Sequence, residues 1–579
     1  MDERGPSSAP ANHGLHDEPP PSPVRWAPWI AFLLPLLVYN LGHRYLGSGD
    51  CIPAELLPIS VLTEGDLDFN EFEASPTPPY YFRWEGARLV SNYPIVPGLL
   101  NVPAYAAARL AGLDLMAWRK RLSLYTSSLL TAFSVLFLYD ALRRRYGSTS
   151  RALGLSLAYA FATNVATIGG HALFQHGPAL FFLAGGLALV VAARPWTLGL
   201  AGPCLALAVL TRPTNVLLAA PLAFVVIRRH PRRLPGFLVL GAIPVLIHAG
   251  YCWRYLGTPW STGQNVPAGN FTGDAWQGLA GLLVSPSRGL FVFSPFLVFA
   301  IPAAVAAFRR SDEDRLLERG FVIGSVAVLA LYARWVLWWG GHSFGYRLIT
   351  ELALPLVVLI AFDWPRIRAS RPAVVIFSIA LAWSVFVQYL GGWIYPSHFN
   401  YRVDQEPSIL WNVRDSELAL LTEQLFRHGH GLTSLERNDA GLSPELFAAP
   451  GPLRRVPPGA RESLSIPLSV DAPRENEVVR GTLTVHGWAQ PHSDDPGEVW
   501  ILIAPGGIER RADRFARLDV ARAFPMIGDG YTAGFGARFE PPLPRLRRYT
   551  LVVEVRSRDG TLRRSNPVTF LWGPGPRSG

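Results

Sequence analysis

Apolar stretches separated by short polar gaps fill the first 395 residues and constrain the fold more than any other feature of the sequence. A membrane hydrocarbon core about 30 Å thick needs roughly 20 apolar residues in a helix. Hydrophobic residues make up 50% of the chain and charged residues only 17%, against roughly 25% charged in soluble domains. The sequence therefore predicts a polytopic α-helical membrane protein with about 11 transmembrane helices. The stretches are 26–46, 121–142, 151–169, 173–193, 197–211, 214–227, 235–256, 289–308, 320–338, 346–363 and 373–395.

The positions of the arginines predict which way the helices face. Arginine is frequent in alternate gaps, as in RRRYGSTSR at 143–151 and RRHPRRL at 228–234, and scarce in the gaps between them. Because cytoplasmic loops are enriched in basic residues, the arginine-rich gaps are predicted to be cytoplasmic. The polar, proline-rich residues 1–25 then form a disordered cytoplasmic tail. The region that follows the last span is external.

Five polar segments are predicted to share the external side. The longest is the first external loop, residues 47–120, and WWGGHSFGYR at 338–347 is one of three short segments. Segments that face the same side of a membrane can meet at one surface, whereas polar residues at helix ends can also simply reach the headgroups. The five segments are 47–120, 169–177, 211–215, 257–288 and 338–347.

After residue 396 the pattern changes from long apolar stretches to short ones. Residues 26–396 are therefore assigned to the membrane domain, and 397–454 to a linker with one amphipathic segment, SILWNVRDSELALLTEQLF. From 455 to 575, short runs such as YTLVVEVRS alternate apolar and polar residues between glycine and proline turns. This two-residue period is typical of β-strands, and it predicts a C-terminal external all-β sandwich domain.

Two classes of site are disfavoured by composition. The net charge of +10 arises from arginines scattered among the gaps rather than from one basic face, so no nucleic-acid partner is predicted. The three cysteines have no metal-binding spacing. His171 and His176 are five residues apart and could bind a metal or simply form hydrogen bonds near the headgroups. No metal or cofactor is predicted, although a divalent metal stays possible.

Several polar residues of the external segments could carry chemistry. Asp50 stands alone between Gly49 and Cys51, just after the first apolar stretch. Glu55, Asp66 and Asp68 follow it and are either secondary acids or part of a solvated surface. Arginine binds phosphate through two parallel hydrogen bonds, which makes three external arginines candidates for a lipid phosphate. They are Arg347, Arg288 and Arg212.

An ordered set of segments covering roughly residues 26–400 resembles the GT-C superfamily of integral-membrane glycosyltransferases. This superfamily includes protein O-mannosyltransferases and the lipid A aminoarabinose transferase. The segments are SGDCIPAELLPISVLTEGDLDFNEF, SNYPIVPGLLNVPAY, LFQHGPALF, LTRPTN, LVSPSRGLFVFSP and WWGGHSFGYRLITELALP.

The resemblance implies an inverting transfer of a sugar from a polyprenyl-phosphate donor to an acceptor hydroxyl on a glycan, lipid or protein. Asp50 matches the catalytic acid, and Arg347 is the first choice for the donor phosphate, ahead of Arg288 and Arg212. Many relatives carry a second acid beside the first, where this chain has Cys51, so Glu55, Asp66 or Asp68 would have to supply it. The expected location is a bacterial inner membrane, with the site and the C-terminal domain on the periplasmic side. His171, His176, His342 and Tyr346 are expected to shape the pocket.

Two alternatives to an enzyme are a transporter or flippase of lipid-linked sugars and a non-catalytic anchor for the β-domain. A transporter is expected to show internal repeats and ionisable groups near the bilayer midplane. No repeat is evident, and the polar residues cluster on one predicted side. An anchor would leave SGDC and WWGGHSFGYR without a role.

Overall fold

The computed structural model divides the chain into two compact units, Met1–Leu432 and Thr433–Gly579. The predicted tail lies outside the described residues except for Arg25, as does 429–454 of the predicted linker. The structure describes residues 25–42, 44–72, 80–266, 268–309, 315–395, 399–428, 461–462, 468–473, 477–489, 498–504, 508–515, 534–540, 547–556, 561–565 and 567–573.

Helices dominate the first unit, as the apolar stretches predict. Every predicted stretch contains a helix, and the adjacent stretches 197–211 and 214–227 form two helices separated by a turn at Pro213–Asn215. The α-helices are α1 Ala27–Asn40, α2 Ile52–Thr63, α3 Val96–Leu110, α4 Leu115–Tyr146, α5 Thr149–Phe161, α6 His176–Ala192, α7 Pro195–Thr211, α8 Val216–Arg229, α9 Leu234–Leu256, α10 Ala275–Val284, α11 Leu290–Phe293, α12 Ala300–Arg309, α13 Leu316–Ala333, α14 Ala353–Ala369, α15 Arg371–Tyr389, α16 Phe399–Gln405 and α17 Glu417–His428.

Five helical segments among the described residues are long and apolar enough to cross a membrane, so the count of about 11 is not confirmed. Several predicted stretches are interrupted, which shortens their helices. The stretch 289–308 breaks at Ser294, just before Pro295, because proline disfavours helical backbone in the residue before it. The long segments are Leu115–Tyr146, Pro231–Leu256, Leu316–Ala333, Arg347–Ala369 and Arg371–Ile394.

Helices α7 and α9 approach each other closely at a pair of glycines. A Cβ atom at Gly202 would overlap the carbonyl oxygen of Phe237, and one at Gly241 would lie 3.2 Å from the carbonyl carbon of Gly202. Small residues allow this approach between membrane helices, where van der Waals packing replaces the hydrophobic effect. The sequence alone does not show which glycines have this role.

Gly202→Ala is therefore expected to destabilise the protein by about 1–3 kcal/mol, because helix α9 must shift to accept the methyl group. Gly250→Ala in α9 is the matched control, since a Cβ there meets nothing within 4 Å, and it should leave stability unchanged or slightly higher. Thermal unfolding of the detergent-purified protein measures both. Equal melting temperatures for the two variants would contradict the close packing.

The described residues of 47–120, predicted to be the first external loop, are folded rather than irregular. After α2 it forms a hairpin of β1 Phe82–Glu85 and β2 Arg88–Ser91, and then α3. Gly86, in the turn, has a φ of +62°, which glycine adopts at little cost. Leu57, Phe82 and Tyr105 belong to one buried cluster that also includes Tyr251 of α9. The loop is therefore anchored to the helices, and it holds both ends of the hairpin near the start of α2.

The region after the last apolar stretch packs into the first unit as far as His428. Leu418 and Leu421 of α17 belong to the main helical core, and Phe399 of α16 packs with Trp338 and Leu410. The amphipathic segment predicted within the linker is thus a short turn at Pro407–Trp411 followed by α17. Residues 399–428 are part of the helical unit.

The second unit is β-rich. A four-stranded sheet has the order β4–β6–β10–β9, and a seven-stranded sheet contains β3, β12, β11, β13, β5, β7 and β8. Inward side chains of both sheets, such as Val485 and Phe535 from one and Val553 and Trp572 from the other, form a single core. The strands are β3 Arg461–Glu462, β4 Leu468–Ala472, β5 Val478–Arg480, β6 Leu483–Ala489, β7 Glu498–Ala504, β8 Ile508–Arg511, β9 Asp513–Phe515, β10 Gly534–Phe539, β11 Arg547–Arg556, β12 Thr561–Arg564 and β13 Val568–Gly573.

Candidate functional site

Asp50 and Arg347 form an ion pair that joins the predicted first external loop to the WWGGHSFGYR segment. Nη1 of Arg347 donates to Oδ2 of Asp50 at 2.6 Å. Both side chains keep some solvent exposure, 18% for Asp50 and 11% for Arg347. The two residues chosen from sequence as the acid and the first phosphate contact therefore lie side by side.

Two tyrosines hold the other oxygen of the Asp50 carboxylate. The hydroxyl of Tyr93 donates to Oδ1 at 2.7 Å, and that of Tyr80 donates to the same oxygen at 2.8 Å. Tyr80 lies just before strand β1 and Tyr93 just after β2, so the hairpin presents both hydroxyls together. Asp50 itself lies in a short turn, Gly49–Cys51, before α2.

The guanidinium of Arg347 is held by its own segment and by a neighbouring one. Nη2 donates to the carbonyl oxygen of Gly340 at 2.6 Å, and the guanidinium carbon lies 5.0 Å from the ring centre of Phe174. Gly340 has a φ of +83° and Gly341 one of +67°. L-residues with a side chain rarely adopt this conformation, so the two glycines allow the chain to turn back beneath Arg347.

These contacts keep Asp50 ionised. Burial alone would raise the pKa of Asp50, but the positive charge of Arg347 and the hydrogen bonds from Tyr93 and Tyr80 outweigh burial and lower it. Burial and the negative charge of Asp50 in turn raise the pKa of both tyrosines. The tyrosines therefore stay protonated and act as hydrogen-bond donors.

Arg212 lies in a separate buried cluster with His176 and Glu351. The Arg212 guanidinium forms an ion pair with Glu351 and donates to the carbonyl oxygen of Leu348 at 2.6 Å. It also donates to the hydroxyl of Tyr332 at 2.5 Å. Nδ1 of His176 lies 2.9 Å from Oε1 of Glu351. Arg212 is therefore neutralised by a carboxylate of its own.

Arg288 lies in a second buried ion pair, with Glu417 of α17. Nη1 of Arg288 donates to Oε2 of Glu417 at 2.5 Å, and Nη2 donates to Oδ1 of Asn400 at 2.5 Å. The same Glu417 oxygen accepts from the backbone N–H of Gly345 at 3.3 Å. Glu417 thus connects α17 to a residue only two positions from Arg347.

The predicted pocket residues are dispersed. His171 is buried, with Nδ1 lying 2.8 Å from the carbonyl oxygen of Ala166. Tyr346 is buried too, and its hydroxyl lies 2.8 Å from Oγ of Ser294. His342 is exposed. His176 belongs to the Arg212 cluster, so the structure places none of the four in hydrogen-bond contact with Asp50 among the described contacts.

The predicted secondary acids differ in their surroundings. Glu55 is buried, accepts from the Tyr45 hydroxyl at 2.5 Å and forms an ion pair with Arg119 at 3.4 Å. Burial raises the pKa of Glu55 despite these partners. Asp66 and Asp68 lie after α2, and burial together with the neighbouring Asp68 raises the pKa of Asp66. Of the four predicted acids, Asp50 is the one whose described contacts include an arginine of another segment predicted to be external.

Contacts connect all five segments predicted to be external. Asp50 and Arg347 join two of them, Phe174 adds a third, and Arg212 adds the fourth through Glu351 just beyond Arg347. In the fifth, the N–H of Asn265 donates to the carbonyl oxygen of Asn92 at 3.0 Å. The five segments therefore form one continuous region around the Asp50–Arg347 pair.

Sequence analysis missed five residues of this region: Tyr80, Tyr93, Phe174, Glu351 and Glu417. Tyr93, Phe174 and Glu351 lie inside the segments quoted for the resemblance, but an aromatic residue near a membrane has many other roles. Glu351 lies one helical turn after Arg347 in a predicted apolar stretch. A lone carboxylate at such a position could have indicated a buried partner.

Two further features of the described residues are the arrangement of potential metal-ligand side chains and the state of the cysteines. Within them, no group of three or more His, Cys, Asp or Glu side chains is placed to hold a metal ion. Cys51, Cys204 and Cys252 are free thiols. Asp50 and Arg347 supply this region with an ionised carboxylate and a guanidinium in contact.

No protein-family model matches the chain, and no curated protein matches it. The resemblance to GT-C glycosyltransferases therefore depends on the sequence segments quoted above and stays a prediction.

Proposed function

We propose that the chain is a membrane glycosyltransferase that moves a sugar from a polyprenyl-phosphate donor to an acceptor hydroxyl. The observation that carries the proposal is the contact between Asp50 and Arg347. A carboxylate and a guanidinium from distant segments are in contact, so the proposed reaction has a candidate base beside a candidate phosphate ligand. In this proposal the helical unit has about 11 spans in a bacterial inner membrane. The site and a β-sandwich accessory domain face the periplasm.

Asp50 acts as the base in the proposed reaction. The acceptor oxygen forms a bond to the anomeric carbon while the bond from that carbon to the phosphate oxygen breaks. The hydroxyl proton passes to Asp50, and the polyprenyl phosphate leaves with the electron pair. Attack opposite the leaving group inverts the anomeric configuration. A positioned base contributes about 10²–10⁴-fold to such a step, and the lowered pKa of Asp50 keeps it ionised for this role.

Arg347 stabilises the leaving phosphate. A fixed guanidinium aimed at a developing negative charge is most effective where water is scarce, and Arg347 is mostly buried. Arg212 and Arg288 already have carboxylate partners, Glu351 and Glu417. Arg347 is therefore the preferred phosphate contact, and the other two arginines hold the surrounding segments in place.

Asp50→Asn is expected to lower sugar transfer by about 10²–10⁴-fold, because the amide cannot accept the hydroxyl proton. The measurement is transfer of radiolabelled sugar from a panel of polyprenyl-phosphate donors in membranes that contain equal amounts of each variant. Asp114→Asn is the matched control. Asp114 is exposed and caps α4, and asparagine is an equally good cap.

Either of two results would contradict the proposal. Transfer by Asp50→Asn at more than a tenth of the wild-type rate would remove Asp50 as the base. Uptake of the lipid-linked sugar across the membrane without any transfer would favour the transporter alternative.

A further inference from the structure

Arg347 and Asp50 are each held by other groups, and one hydrogen bond joins them. Two tyrosine hydroxyls hold Asp50 through Oδ1, and the Gly340 carbonyl and the Phe174 ring hold Arg347. Only Nη1 and Oδ2 connect the two side chains. Breaking this bond therefore leaves both groups in position.

Arg347 also has unused capacity to donate. A guanidinium carries five N–H groups, and its Nε is buried with no hydrogen-bond partner among the described residues. A buried donor without a partner is unfavourable, because it has lost its hydrogen bonds to water without replacing them. An oxyanion with several acceptor oxygens would satisfy more of these donors than the single oxygen of Asp50 does.

We infer that Arg347 exchanges Asp50 for the phosphate of the donor, while Tyr80 and Tyr93 hold Asp50 in place as positioning residues. This inference rests on the proposed function. The phosphate of the donor is a diester that carries one negative charge, as a carboxylate does, and it accepts hydrogen bonds at two free oxygens. The polyprenyl monophosphate that is left after transfer carries more charge and has three such oxygens. Binding of the donor phosphate frees Oδ2 of Asp50 to accept the acceptor hydroxyl proton. Donor binding thus produces the free base, and the acceptor is activated only when the donor is in place.

If Arg347 exchanges Asp50 for phosphate, the two anions compete for Arg347. Removing the charge of Asp50 should therefore make phosphate binding tighter. Asp50→Asn should bind polyprenyl monophosphate about 10-fold more tightly than wild type, a change equal to about 1.4 kcal/mol. Arg347→Ala should bind it at least 10-fold more weakly. The affinities are measured on the full chain in lipid nanodiscs, with Asp114→Asn as the control and polyprenol as the ligand without phosphate.

A double variant separates exchange from a general effect of charge. If Asp50 competes for Arg347, Asp50→Asn has less than a twofold effect in the Arg347→Ala background, because the contested group is gone. Equal tightening in both backgrounds would overturn the inference, as would an Asp50→Asn variant that binds no more tightly than wild type.

Binding of inorganic phosphate distinguishes a failure of this inference from a failure of the proposed function. Tighter binding of either phosphate ligand by Asp50→Asn supports exchange. Inorganic phosphate bound as well as the lipid, together with no sugar transfer, would refute the proposed function while leaving the exchange at Arg347 intact.

The tyrosines are tested by a pH profile of transfer. The charged and titratable groups around Asp50 are Arg347, Tyr80, Tyr93 and the adjacent thiol of Cys51, with Glu55 one turn further along. Changing both tyrosines to phenylalanine removes two donors that lower the pKa of Asp50. The acidic limb of the profile should therefore move to higher pH, because Asp50 becomes protonated earlier. A rate reduced equally at every pH would show that the tyrosines have only a structural role.

Discussion

Glu417→Ala is expected to lower the free energy of unfolding by about 3–5 kcal/mol, because it leaves the buried charge of Arg288 without a partner. Both side chains of this pair are almost completely inaccessible, at 1% for Arg288 and 0% for Glu417. The variant also removes the acceptor of the Gly345 N–H. Thermal or denaturant unfolding in detergent measures the loss.

Two further variants make the Glu417 result interpretable. Glu406→Ala changes an exposed carboxylate of the same region and should shift stability by less than about 0.5 kcal/mol. The double variant Arg288→Met with Glu417→Leu should recover much of the loss, because replacing a whole buried pair by apolar side chains is often neutral. If Glu417→Ala and Glu406→Ala unfold alike, the pair does not stabilise the fold.

Glu351→Ala is expected to have a comparable effect, again about 3–5 kcal/mol, because Arg212 and His176 then lose their shared carboxylate. Arg212 would keep its bonds to Tyr332 and Leu348, but neither of these partners carries a charge. Glu351→Gln should lose less, since the amide oxygen can still accept from Arg212. Unfolding in detergent is again the measurement, with the exposed Glu64→Ala as the control.

Arg212→Ala separates a structural arginine from a phosphate contact. A structural role predicts a lower melting temperature, and whatever folded protein remains should bind polyprenyl monophosphate nearly as well as wild type. If Arg212 instead contacts the phosphate directly, the variant should melt at the wild-type temperature and bind polyprenyl monophosphate weakly. The second pattern would return Arg212 to the donor site and weaken the choice of Arg347.

Much of the fold follows from sequence because helices and strands depend on local patterns. The apolar stretches of the first unit all contain helices, and the alternating runs after residue 455 coincide with a β-rich unit. The count of about 11 spans is not confirmed, because interruptions such as the one before Pro295 shorten helices without lowering the mean hydropathy of a stretch. At 289–308 the break at Ser294 leaves α11 with four residues, although the stretch as a whole is long and apolar.

The candidate site could be predicted from the sequence only in part. Asp50 and Arg347 stood out in sequence as an isolated acid and a cation in a short polar gap, and the structure places them in contact. Arg212 and Arg288 had the same appearance in sequence, yet each is neutralised within the protein. The sequence could not show which of the three arginines binds a ligand. An arginine that binds a ligand and one that pairs with a distant glutamate have the same appearance in sequence.

The sequence by itself determined the class of chain, a helical unit with membrane-length apolar segments followed by a β-rich unit, and the polar gaps that separate its helices. Periodicity and hydropathy are properties of neighbouring residues, so they can be read directly. Only the tertiary structure decided which carboxylate each arginine meets. Asp50 and Arg347 are 297 residues apart in the chain, and packing of the intervening helices brings them together. The hairpin that presents Tyr80 and Tyr93 to Asp50 was likewise decided by packing, because the loop is ordered by its contacts with Leu57 and Tyr251.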